Sequence, residues 1–262
     1  EQRAGGAGQR TEDIVTERLG PEIAAIEERA AQEMRKSSEL GPMYDAATQS
    51  DIKFDISALR SGLIMMADDA ASNVRSGLNA VLRDLGKEGP VSASKLHNAR
   101  SALNDAIQSA KIAGQKNKAR QLMPILDDMD RRLDEIPNYA TARAGYAESS
   151  QIERAVDNGR TVFSGGPTSA LPPAQLKAML DKMKPLERDA YVKGAREYIA
   201  ALMGTSRSAA ATAWQHFDQS WNREKLQLLL GKTDAEAVTR RLFAEKAVSG
   251  GRGRVVSGAQ TR

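Results

Sequence analysis

One stretch of this sequence indicates its architecture most directly: Pro137-Asn138-Tyr139-Ala140-Thr141-Ala142-Arg143-Ala144-Gly145-Tyr146-Ala147-Glu148-Ser149-Ser150. We expect a helix to restart here, because proline is best tolerated in the first turn of a helix. Tyr139, Arg143 and Tyr146 would then share one helix face, at spacings of four and three. This spacing permits cation–π stacking, but we interpret the three residues as a structural clamp that docks the helix on its neighbours.

Two apolar runs with coiled-coil-like spacing precede this stretch. The first covers residues 96–113 and the second covers residues 119–136. The two runs are out of phase across residues 114–118, so two helices that meet at a turn and one helix with a break both fit the pattern. Pro124 lies inside the second run and is expected to kink its helix or to mark its start.

The pattern towards the N-terminus predicts an earlier helix that ends near Leu40-Gly41-Pro42 and a long helix over residues 57–85. Residues 43–56 differ, because apolar and polar residues alternate there with the period of a strand. No clear partner strand is visible, so we expect an extended segment that lies over helices. The alternating apolar residues are Ile52, Phe54 and Ile56.

These patterns predict an all-α fold, an elongated helical bundle with a coiled-coil-like helix pair and a smaller C-terminal helical subdomain. The Ser/Gly/Pro-rich stretch at 164–173 is the clearest linker. Trp214, Phe217 and Trp221 are expected on one face of a helix beyond it, as a core stripe rather than a base-stacking surface. The predicted organisation is a flexible arm at 1–10, an N-terminal helical domain with long helices at 11–163, the linker at 164–173, the C-terminal subdomain at 174–249 and a Gly/Arg-rich tail at 250–262.

Positive charge is concentrated at the C-terminal end of the 262-residue chain, whose net charge is +4. Residues 223–262 hold nine lysines and arginines against four acids, whereas the rest of the chain is close to neutral. A basic segment suits an acidic surface or nucleic acid. The residues predicted to contact DNA or another partner are Arg240, Arg241, Lys246, Arg252 and Arg254.

Several classes of protein are disfavoured by composition. The chain has no cysteine, which excludes disulfide and thiol chemistry within it. No apolar run approaches the ~20 residues of a membrane span, so no span is predicted. The chain begins with Glu1 rather than methionine, and we expect it to have been cut from, or numbered within, a larger protein.

An acidic run on the second heptad-like helix is the strongest candidate for metal chemistry. Carboxylates four residues apart on a helix can bind magnesium, but a second acidic cluster on a facing helix is required. Arg131 and Arg132 lie among these acids, so we interpret the run as a solvated helix face and predict no metal or cofactor. The acids are Asp127, Asp128, Asp130 and Asp134.

Other catalytic motifs are equally weak. His97 and His216 are the only histidines, and neither has the partners that a zinc site needs. Gly231-Lys232-Thr233 resembles the end of a phosphate-binding loop, but position 226 holds leucine instead of the required glycine. We interpret Gly231 as a helix C-cap and predict no catalytic residue.

The chain nevertheless resembles a known group over most of its C-terminal two-thirds. The matching motifs are Leu96-His97…Arg100…Leu103…Ala106-Ile107, Leu133-Asp134 and Pro137-x-Tyr139…Ala142-Arg143…Tyr146-Ala147…Ser149. Weaker matches are Glu187-Arg188…Ala190…Gly194-Ala195, Asn222-Arg223-Glu224-Lys225-Leu226 and Ser257-Gly258-Ala259-Gln260-Thr261. In these motifs the chain resembles internal virion or ejection proteins, the large helical proteins of tailed bacteriophages and prophages, especially those of alphaproteobacteria.

This resemblance implies a non-enzymatic virion protein that is packaged with the genome and delivered to the host cell envelope or cytoplasm. Its partners would be copies of itself, other virion proteins and DNA. The alternatives are a secreted helical effector or adaptor and, further from the pattern, a fragment of a helical enzyme. Such an enzyme would be a metal-dependent transferase or a lytic transglycosylase, whose chemistry needs a glutamate placed in a cleft.

Overall fold

The computed structural model describes residues 24–70, 72–164, 171–204 and 216–244. Within these ranges the protein is all-α, which confirms the predicted fold class, and each of the two short strands has two residues. The described helices do not include one long and apolar enough to cross a membrane. The predicted arm at 1–10 and tail at 250–262 lie outside the described residues.

The described elements follow one another closely along the chain. They are α1 (Ala24–Arg35), a π-helical turn (Lys36–Leu40), α2 (Gly41–Thr48), β1 (Lys53–Phe54), α3 (Ser57–Asp68), α4 (Ser72–Leu85), β2 (Val91–Ser92), α5 (Ala93–Ile112), α6 (Lys116–Leu133), α7 (Tyr139–Arg160), α8 (Pro173–Leu180), α9 (Pro185–Gly204) and α10 (Ser220–Leu230). A further helix, α11, covers residues 232–244.

The helices belong to two compact units. The first unit is Met34–Ala147, and the second unit combines the described residues up to Glu33 with those from Glu148 onwards. The sequence placed the boundary in the linker at 164–173, of which residues 165–170 lie outside the described part. In the structure, residues on both sides of that linker share one apolar cluster, which includes Phe163 and Leu176.

The coiled-coil-like pair in the first unit consists of two helices, α5 and α6, that meet at a turn. Gly114 lies in this turn with a φ of 74°, a left-handed conformation that glycine adopts without steric cost. Ser92 caps α5, because its hydroxyl accepts a hydrogen bond from the Lys95 N–H at 3.4 Å. Pro124 lies within α6, so it does not mark the start of that helix.

The prediction of one helix over residues 57–85 is wrong, because the chain breaks between α3 and α4. Arg75 of α4 stabilises the break by donating hydrogen bonds to the carbonyl oxygens of Ala67 and Asp68, each at 3.1 Å. The Ala67 carbonyl also accepts from the Ala70 N–H at 3.3 Å, so Arg75 adds a side-chain partner at the end of α3. The apolar spacing continues through the break, which is why periodicity does not reveal it.

The prediction of an extended segment over residues 43–56 is also wrong in two respects. Its first part is helical in α2, and its second part has a partner strand. Phe54 pairs with Val91 and Lys53 with Ser92 in an antiparallel ladder. The partner escaped the sequence argument because it is only two residues long and leads directly into α5.

The predicted helix end at Leu40-Gly41-Pro42 is replaced by a π-helical turn that continues into α2. Proline has no N–H and its ring collides with the carbonyl four residues before it. The chain widens before Pro42, and the Gly41 N–H bonds to the Lys36 carbonyl instead. Widened turns of this kind are a recognised way for helices to accommodate such residues.

In the second unit, Gly231 ends α10 with a φ of 80°, and its N–H bonds to the Gln227 carbonyl at 3.0 Å. The predicted C-cap is therefore confirmed. The predicted aromatic helix is wrong, since residues 218–219 form a turn that separates Phe217 from Trp221. Phe217 is buried in the core, and Trp214 lies outside the described residues.

Candidate functional site

The structure places Tyr139, Arg143 and Tyr146 at one cluster within the first unit, which we call the clamp cluster. It also contains Tyr44 of α2 and His97 of α5. Tyr139 is fully buried, and its ring makes an edge contact with Tyr44 at 5.0 Å between centroids. Burial raises the pKa of the Tyr139 hydroxyl, so this group stays protonated.

Tyr139 and His97 form the polar centre of the clamp cluster. The Tyr139 hydroxyl lies 2.7 Å from Nδ1 of His97. Burial, and then the positive charge of Arg100, lower the pKa of the imidazole below its usual value. His97 is therefore a neutral ring at neutral pH, able to accept a hydrogen bond at one nitrogen.

Arg143 joins the clamp cluster to α6 through carboxylates of the acidic run. Its Nε donates to Asp134 at 3.1 Å, and one terminal nitrogen donates to Asp130 at 3.4 Å. Its other terminal nitrogen pairs with Asp134, while Arg100 of α5 pairs with Asp130. A planar guanidinium suits such forked contacts, which add geometric specificity to the attraction between charges.

Tyr146 holds the other end of the clamp cluster. Its hydroxyl donates to the Lys36 carbonyl at 3.2 Å, in the π-helical turn. Its ring lies 5.3 Å from that of Tyr44. The Lys36 carbonyl also accepts from the Gly41 N–H, so Tyr146 is its second hydrogen-bond donor.

The acidic run is thus largely engaged in ion pairs rather than arranged for a metal. Asp128 accepts from Arg132 at 2.8 Å and pairs with Arg131. Asp130 and Asp134 bind Arg100 and Arg143 as above. Across the described ranges, no group of three acids or histidines is placed to hold a metal ion.

The predicted basic residues are only partly described. Arg240 is exposed on α11 at the edge of a shallow groove of about 480 Å³. Arg241 is half-buried on the same helix, so the two adjacent arginines differ in their exposure to solvent. Lys246, Arg252 and Arg254 lie outside the described residues. Both signs of charge line the groove, since Arg223, Arg240 and Glu236 contribute to it.

A buried lysine that the sequence argument missed lies in the second unit. Lys225 is fully buried, and its ammonium donates to the Val162 carbonyl at 2.9 Å. It also lies 5.4 Å from the Trp221 ring centroid and 5.9 Å from that of Phe163. Burial lowers the pKa of Lys225. The sequence offered one signal of this burial: Lys225 lies one turn after Trp221 in a leucine-rich helix.

Two more polar residues of the first unit were missed for identifiable reasons. Arg60 is buried and donates to the carbonyls of Leu85, Gly86 and Gly89 at 3.0–3.2 Å. It thereby provides hydrogen bonds for the carbonyl groups at and after the end of α4, a contact that no local pattern predicts. The strand-like alternation of residues 43–56 predicts an extended segment, which does not bring Tyr44 to His97. In the structure Tyr44 lies in the helix α2, and its ring contacts His97.

No protein-family model, curated protein or solved structure matches this chain.

Proposed function

We propose that this chain is a non-enzymatic component of a tailed-bacteriophage particle, of the internal virion or ejection type, and that it acts through helix–helix assembly. The observation that supports this proposal is the role of the residues that carry the resemblance. Leu96, Leu103 and Ala106 are buried, while His97, Arg100 and Asp134 bind side chains of other helices. These motif residues therefore pack helices within the chain, and helix packing of the same kind is what an assembly protein uses between copies.

The composition of the helices agrees with delivery through a narrow channel. Much of the core consists of alanine, as at Ala99, Ala110 and Ala195. Small side chains bury little area each, so the helices can separate and repack at modest cost. The absence of cysteine means that no disulfide has to break first.

The test is to follow the protein in particles released from the bacterium that encodes it. Particles would be purified, treated with nuclease and analysed by mass spectrometry, before and after ejection is triggered in vitro. We expect the protein in DNA-filled particles and its loss from emptied ones, with the major capsid protein as a retained control. Recovery from culture supernatant of a strain that makes no particles would contradict the proposal and favour a secreted effector.

A further inference from the structure

The clamp cluster contains a hydrogen bond whose two partners cannot both be satisfied once the histidine is charged. The Tyr139 hydroxyl is buried, and Nδ1 of His97 is its hydrogen-bond partner among the described residues. A buried hydroxyl that does not donate its proton leaves an unsatisfied donor, which is costly. The hydroxyl therefore donates, and neutral His97 carries its own proton on Nε2.

Protonation of His97 removes this arrangement. The proton binds Nδ1, so the nitrogen changes from acceptor to donor and the Tyr139 proton loses its acceptor. The new positive charge also lies on the same helix as Arg100, one turn away, and like charges at this spacing repel. Both effects weaken the contact between the start of α7 and α5.

The turn before Tyr139 is the point about which α7 would move when this contact fails. Asn138 precedes it with a φ of 66°, in a left-handed conformation that few residues other than glycine adopt. Residues 134–138 form a turn between α6 and α7. The first turns of α7 can therefore swing about this turn while α5 and α6 stay paired.

We propose that His97 is an acid-sensitive latch, whose protonation releases the first turns of α7, residues 139–147, from α5 and α2. This inference rests on the geometry of the clamp cluster and does not depend on the proposed virion role. It adds a means of opening the first unit without unfolding it.

The surroundings of His97 favour its neutral form. Burial and Arg100 lower its pKa, whereas Asp45 of α2 opposes them. Arg100 pairs with Asp130 and Arg143 pairs with Asp134, so both guanidinium charges are compensated. Tyr44 and Tyr139 contact the ring, and the charges of Asp45 and Arg100 act on it. Asp130 on α6 and Arg143 on α7 belong to the ion-pair network next to Arg100.

The sign of the pH effect follows from linkage. The pKa of His97 in the folded protein lies below the 6.5 of an unperturbed histidine. Between these values the opened state, in which the ring is solvated, binds more protons than the closed state. The closed state is thus fully favoured above about pH 6.5 and is weakened progressively as the pH falls.

Hydrogen exchange of the intact chain tests the latch. Exchange of residues 139–147 would be measured at about pH 7.5 and about pH 5, corrected for the intrinsic pH dependence of amide exchange. We expect protection of this segment to fall in acid, by at most about thirtyfold at pH 5 for one histidine whose pKa is 6.5 in the opened state, with α4 unchanged. His97→Gln should abolish the fall, and His216→Gln, which changes the other histidine, should retain it.

Two further measurements decide the outcome if His97→Gln folds poorly. Tyr139→Phe removes the hydroxyl that protonation would orphan, and it should reduce the loss of protection in acid. NMR titration of His97 in the wild-type protein should show proton uptake at the pH at which the segment opens. Proton uptake without opening, or equal opening in wild type and His97→Gln, would overturn the latch.

Discussion

At the residue scale, Lys225 shows how a charge can be kept in a core where none of the described residues forms an ion pair with it. A buried ammonium normally loses much of its solvation energy. Here one carbonyl and the faces of two aromatic rings replace part of that solvation. The remaining penalty appears as the lowered pKa of the lysine, and it has a measurable consequence.

Replacing Lys225 with methionine should change how stability depends on pH. The folded pKa lies below the 10.5 of a solvated lysine, so between the two values the unfolded chain binds more protons. The free energy of unfolding of the wild type should therefore rise relative to that of Lys225→Met as the pH increases towards 10.5. Urea unfolding at several alkaline pH values measures the difference.

The control for this prediction is Lys182→Met, at an exposed position on the chain between α8 and α9. Its stability should follow that of the wild type in parallel across the same pH range. A constant gap between wild type and Lys225→Met would show that burial of the ammonium does not penalise its charged form.

At the scale of elements, α7 and α9 of the second unit approach each other backbone to backbone. A Cβ atom added at Gly194 would lie 2.0 Å from the Val156 carbonyl oxygen, and one at Gly159 would lie 2.0 Å from the Tyr191 carbonyl oxygen. Neither carbonyl is a flexible side chain that could move aside. The two glycines, not the apolar side chains, set how closely these helices pack.

Gly194→Ala should therefore destabilise the protein, although alanine is the better helix former. Overpacking of this kind typically costs about 1–3 kcal/mol, and the backbone clash places this variant at the upper end. Thermal or urea unfolding would measure the loss.

Gly62→Ala is the matched control, because it lies inside α3 with no atom within 4 Å of the added Cβ. It should stabilise the protein by about 0.5–1 kcal/mol. Equal effects of the two substitutions would refute the account of the α7–α9 contact.

At the scale of the whole molecule, charge is distributed unevenly along the chain. Two adjacent arginines in the basic segment also differ in their exposure to solvent. Arg240 is exposed and Arg241 is half-buried. Only an exposed arginine can release a counterion when it meets a phosphate. The predicted DNA contact thus has a residue-specific test within a segment that carries an excess of positive charge.

Binding of the intact chain to duplex DNA should weaken steeply as salt increases. Arg240→Ala should lower the affinity and reduce the slope of log affinity against log salt by about 1. Arg241→Ala should leave the slope unchanged. Fluorescence anisotropy over a range of salt concentrations provides both values, and salt-independent binding, or equal slopes for all three proteins, would refute the DNA contact.

Local patterns were sufficient for the features that depend on neighbouring residues. The all-α class and the Gly231 cap follow from apolar periodicity and from glycine conformation, whereas the phase shift between α5 and α6 fitted both a turn and a broken helix. The clamp residues were also recognised as one helix face, because their spacing alone places them there. In contrast, the sequence did not show that His97 and Tyr44 belong to the clamp cluster, since α5 and α2 are separated from α7 along the chain.

Apolar spacing and the positions of glycine and proline thus specify the helices of this protein, since both act within one or two turns of the chain. Contacts between distant segments specify the rest. Arg75 bonds to carbonyls across the break in the 57–85 stretch, Val91 pairs with Phe54, and Asp134 and His97 contact α7. These outcomes depend on which carbonyls, carboxylates and rings come together in three dimensions, and that information is not contained in any local window of sequence.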